Sequence, residues 1–234
     1  MPKQSRLGDD ASIYQPLKQQ TEREKLREMS FKGKLGYLRE YYKFHFFALL
    51  AVIALIIYSV YTFTHPTPTP QFTAAMIDNT IATTVIEQYS TDFATHLQLN
   101  PKRETVELNT TYNFSSDDIY AVQMKEALIT FVQAKQIDVI IAPESQFTDY
   151  ATKGFFAKLS DKLPTSIYSS LTDQFYLTVT EDDAQKSAYG IYLTDTKLYK
   201  NNSISSEPYI LGIVLNSPHE DNTNEFIQYL FQEK

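Results

Sequence analysis

Residues 44–70 contain no Asp, Glu, Lys or Arg, and within them residues 46–63 read FFALLAVIALIIYSVYTF. At 1.5 Å per residue those 18 residues reach roughly 27 Å, close to the hydrocarbon thickness of a bilayer. Residues 48–57 are wholly apolar, and Tyr58, Ser59, Tyr61 and Thr62 follow, where amphipathic rings suit a membrane interface. A helix buried in a soluble core would normally show a polar stripe, and none is present. A cleaved leader is excluded by the 45 residues that precede the run and by the lack of a small-residue cleavage pattern after it. The run is therefore read as an uncleaved transmembrane helix over 44–63.

The charges divide around this segment. Residues 1–43 carry ten Lys/Arg and six acids, whereas residues 71–234 carry eleven bases and twenty-two acids. Lys32, Lys34, Arg39 and Lys43 lie just before the apolar run, and the first base after it is Lys102. The positive-inside rule then predicts a cytoplasmic N-terminus and an extracellular C-terminal part, held at the cell membrane by a single pass. The acidic C-terminal part argues against nucleic acid, whose phosphates require a basic surface. The absence of cysteine removes disulfide scaffolds, thiolate metal sites and thiol catalysis.

Residues 1–20 show no period and are read as a mobile tail; residues 21–43 place Leu26, Met29, Phe31, Leu35, Leu38 and Tyr42 near helical spacing. Two readings fit the latter equally: a helix in the lipid headgroups, or a solvated extension of the anchor. Alternate prolines make 64–71 a stiff spacer. From 72 onward strands and helices alternate. Strands are expected at 72–77, 105–114, 137–142, 189–193 and 210–215. Helices are expected after Asn79 or Thr80, after Ser115 or Ser116, from Pro143 to Gly154, and from Asn222. The second of these should turn Tyr120, Met124, Ala127, Leu128, Phe131 and Val132 inward. The fold class predicted is α/β: a single-lobe, mainly parallel sheet over 72–234 with helices on both faces, preceded by one transmembrane helix.

Asp138-Val139-Ile140-Ile141-Ala142-Pro143, a helix, and then Gly154-Phe155-Phe156-Ala157-Lys158-Leu159-Ser160-Asp161-Lys162-Leu163-Pro164 resemble the extracellular solute-binding proteins of ABC importers. Tyr189-Gly190-Ile191-Tyr192-Leu193, and Leu211-Gly212-Ile213-Val214-Leu215-Asn216 followed by Phe226, are similar to later strands and the closing helix of that family. The resemblance implies a periplasmic-binding-like fold. Only Asp195 to Pro208 separates the last two strands, so it is reduced to one lobe. Tyr41-Tyr42-Lys43-Phe44-His45 also looks like the approach to the span in uncharacterised single-span proteins of Gram-positive bacteria.

No Gly-x-Ser-x-Gly, P-loop, His-Glu-x-x-His or Gly-x-Gly-x-x-Gly is present. His219-Glu220-Asp221 and Glu181-Asp182-Asp183 read as a solvated acidic cap and a solvated turn, so no metal and no cofactor is expected. In open parallel sheets ligands lie beyond the carboxyl ends of the strands. That rule nominates Asn79, Ser116, Glu144 and Ser145 as ligand-binding candidates, although helix capping demands the same residue types. The function expected is a non-catalytic binding or interaction module at the cell envelope, with the lipid bilayer and another envelope or membrane protein as expected partners. The alternative is a ligand sensor or auxiliary solute-binding component of a transport system. An enzyme would require a buried, convergent acid–base pair.

Overall fold

A computed structural model describes residues 24, 27, 29–115, 119–181 and 183–232. The tail at 1–20, Ser116 and Asp182 lie outside them. The chain divides into two compact units, Met1–His65 and Pro66–Lys234.

In the first unit, α1 (Phe31–Tyr41) and α2 (Lys43–Thr64) meet at Tyr42, whose φ and ψ of −102° and 3° leave the helical region. Ser30 starts α1, its hydroxyl accepting from Gly33 N at 3.4 Å. Helix α2 is 22 residues long, is apolar enough to cross a membrane, and buries none of its residues. Near its end the Thr62 and Thr64 hydroxyls donate to the carbonyls of Tyr58 and Val60, which satisfies both without solvent.

The second unit is α/β. Its elements are β1 (Thr69–Ile77), α3 (Thr83–His96), β2 (Glu104–Tyr112), α4 (Ile119–Gln133), β3 (Val139–Pro143) and α5 (Glu144–Thr152). Then come the short helices α6 (Leu159–Lys162) and α7 (Thr165–Ser170), β4 (Phe175–Thr178), β5 (Ser187–Tyr192), α8 (Lys197–Asn202), β6 (Tyr209–Ile213) and α9 (Glu220–Gln232). The six strands form one sheet in the order β2-β1-β3-β6-β5-β4.

The expected mainly parallel sheet is corrected to a mixed one. β2, β1 and β3 are mutually parallel, because α3 and α4 carry the chain back across the sheet between them. The other three pairings are antiparallel. After β5 the chain holds only the six-residue α8, and Leu193 N donates to Tyr209 O, so β6 starts at the end where β5 stops.

Helices do lie on both faces. Alternation along β1 sends Phe72, Ala74 and Met76 to one apolar layer and Ala75 and Ile77 to the other. The first layer packs Phe93 of α3 against Phe226 of α9, with ring centroids 5.1 Å apart. The second takes Leu128 and Val132 of α4 and Phe147 and Tyr150 of α5. β3 and β6 are buried at every residue, as strands covered on both sides must be.

Several local expectations are corrected. β1 starts at Thr69, whose N–H donates to Arg103 O, so the spacer is shorter than 64–71. Pro70 has no N–H to offer, and the pairing with β2 slips between Pro70 and Phe72. Helix α4 is rotated: Ala121, Leu128 and Val132 are buried, whereas Tyr120 and Phe131 are 46% and 42% exposed. Its apolar residues surround the helix, Ile119, Val122 and Ile129 included, so periodicity did not define one inward face. Asn222 lies inside α9 and donates to Gln71 O at 2.7 Å instead of capping.

Three helices end in the same motif. After α3, α4 and α5, residues Gln98, Lys135 and Gly154 adopt φ of 56°, 56° and 76°. In each, that residue's N–H bonds three residues back and the next N–H bonds five back, the Schellman arrangement. Glycine is the unstrained occupant, so Gln98→Gly should raise stability by about 0.5–1 kcal/mol. Urea unfolding checks this, and a loss of stability would contradict it.

Candidate functional site

The expected rim beyond β1, β2 and β3 is tied to itself. Asn79 closes a turn on Ile81, accepting from its N–H at 3.2 Å and donating to its carbonyl at 2.7 Å. It does not cap α3, whose preceding residue is Ala82. Asp78 Oδ1 accepts from Phe114 N and Ser115 N, joining the ends of β1 and β2. Tyr209 OH donates to the Asp78 carbonyl. Glu144 opens α5, where its charge suits the helix dipole, and accepts from Tyr192 OH at 3.2 Å. Ser145 N donates to Glu207 at 3.2 Å. Burial and then the Glu144 charge push the Tyr192 hydroxyl up to about 12, so it remains a donor. Asn79, Glu144 and Ser145 thus serve separate bonds with no partner in common.

A different place gathers polar groups. Asp138 precedes β3 and is fully buried. Its two oxygens accept four hydrogen bonds: from Thr73 N at 2.9 Å, Ser217 Oγ at 2.7 Å, His219 N at 3.0 Å and the His219 ring at 3.1 Å. A carboxylate only accepts, so His219 Nδ1 carries the proton. His219 Nε2 has no hydrogen-bond partner among the described residues, and about a third of the side chain is exposed.

That imidazole lies at the edge of an open cleft of about 360 Å³. One wall is the sheet face at Thr73, Glu107, Asn109 and Tyr112; the other is the C-terminal end of α4 with Phe131 and Lys135. The rotation of α4 creates it, since Phe131 leans over the cleft and not into the core. Thr73 stands opposite Glu107 in the β1–β2 register, so Glu107, Thr73 and Asp138 form one row across three strands. Neither Glu107 nor Lys135 forms an ion pair among the described residues. The Tyr112 hydroxyl is pushed up by burial and, secondarily, by the Glu107 charge, which keeps it protonated.

Buried Asp138 and half-buried His219 form an acid–base pair, but the Ser217 hydroxyl donates to the carboxylate and not to the ring. In a nucleophilic triad the hydroxyl bonds the second ring nitrogen, which here has no such partner. Glu220 pairs with Lys162, away from His219, and no three described His, Asp or Glu side chains gather as metal ligands. The sequence missed this cleft because its residues come from four segments. The one local signal was an Asp directly before a wholly apolar strand, a charge that must be neutralised inside. No family model, curated protein or solved structure matches the chain.

Proposed function

We propose that the chain is a single-pass membrane protein whose α/β unit is extracellular and acts as a non-catalytic binding or interaction module at the cell envelope. The observation that carries this reading is α2: a 22-residue helix apolar enough to cross a membrane, none of it buried, in a chain whose second unit has its own core. Exposing such a helix to water is costly, and a bilayer is the solvent that removes the cost. The excess of bases before α2 supports a cytoplasmic N-terminus. The module reading is supported by rim residues that are bonded within the unit, Glu144 by Tyr192 and Ser145 by Glu207, and by a histidine whose Nε2 meets no hydroxyl among the described residues. The likeness to one lobe of a solute-binding protein belongs to the same proposal and rests on the sequence motifs.

External protease on intact cells should digest residues 66–234 and leave a protected N-terminal fragment. A protected C-terminal unit would overturn the topology. The alternative, a ligand sensor or auxiliary solute-binding component, is favoured by one observation: the cleft at His219 is lined by Lys135 and Glu107, neither of which forms an ion pair among the described residues.

A further inference from the structure

We propose that the cleft between β2 and the C-terminal end of α4 binds a small zwitterion with an apolar body, an amino acid or dipeptide, its amine on Glu107 and its carboxylate on Lys135. The inference rests on the reading of the α/β unit as a binding module, and deepens it by naming the ligand class.

The chemistry of the walls is divided. Glu107 and the Tyr112 hydroxyl lie on the edge strand, whereas Lys135 and His219 come from the end of α4 and the start of α9. An acid and a base left unpaired in one concavity each gain from an opposite charge, and a ligand bearing both satisfies the two together. A purely anionic ligand would leave Glu107 facing like charge, and a purely cationic one would do the same to Lys135. Phe131 supplies an apolar surface between them.

The Asp138 carboxylate fixes the imidazole with Nδ1–H inward, so Nε2 is the atom presented to the cleft. With the proton on Nδ1, Nε2 is an acceptor and takes an N–H of the ligand. The cleft volume of about 360 Å³ falls at the small-ligand end of the usual range.

The test uses the purified full chain in detergent and three probes: L-leucyl-L-leucine, its N-acetyl derivative and its C-terminal amide. Calorimetry should show the free dipeptide binding at least about tenfold more tightly than either blocked form. Glu107→Gln should abolish the preference over the N-acetyl form and keep the preference over the amide. Lys135→Gln should do the reverse. Glutamine is compatible with the backbone at 135, because Gln98 holds the same φ of 56° in the matching motif after α3. Equal binding of all three probes, no binding at millimolar concentration, or preferences that survive both variants would overturn the proposal. Because the chain is solubilised, the result is independent of topology. Failure here leaves the anchored-module reading standing, and a contrary protease result leaves this test valid.

Discussion

Asp138→Ala is expected to destabilise the α/β unit by roughly 3–5 kcal/mol, a large share of a typical domain's total stability. The carboxylate ties its own segment to two others: Thr73 in β1, and Ser217 and His219 before α9. Removing it strands a backbone N–H at Thr73 and another at His219 beside a site with no exposure of its own. Asp138→Asn keeps the shape but turns one acceptor into a donor, so it also loses stability. His219→Ala should cost much less, because Asp138 retains three of its four donors. Urea unfolding followed by tyrosine fluorescence ranks the variants. If His219→Ala costs as much as Asp138→Ala, the ring and not the backbone staple dominates.

The same residue shows where sequence reading stops. The strand after Asp138 was legible, because an uninterrupted apolar run fits only a strand covered on both faces. The last helix was legible through Phe226, Ile227, Leu230 and Phe231, all buried at helical spacing. That Asp138 would meet a histidine 81 residues later was not legible, since nothing local encodes a contact of that separation. β4 escaped notice because Phe175–Thr178 is four half-exposed residues at the sheet edge, too short for alternation to register. The direction of β6 depended on where its connection closed, at Leu193 and Tyr209, and apolar content is silent on direction. Glu144 and Ser145 stand at a helix beginning as expected, whereas Asn79 closes a turn instead of capping, and residue type could not separate self-contained bonding from ligand binding.

Gly212→Ala and Gly190→Ala should each cost about 1–3 kcal/mol, through overpacking and not through lost backbone freedom. Phe147 of α5 stacks on Phe156 with centroids 4.4 Å apart and planes 4° from parallel. A Cβ on Gly212 would stand 2.6 Å from Phe156 Cδ1 and 2.8 Å from Phe147 Cε2. A Cβ on Gly190 would stand 2.5 Å from Ile210 Cγ2 and 2.7 Å from Phe147 Cζ. Phe147 is fully buried and meets Tyr176 edge-on at 5.4 Å, so its ring has nowhere to retreat. The glycines on β5 and β6 therefore let α5 and its aromatic pair lie close to the sheet. If that is their role, Phe147→Leu should relieve the clash. Phe147→Leu alone loses stability by opening a cavity, but combined with Gly212→Ala the losses should fall short of their sum by about 0.5–3 kcal/mol. A double-mutant cycle in urea measures the coupling. Losses that simply add would mean the ring and the glycine act independently, and the close approach of α5 would then have to be sought in Phe156.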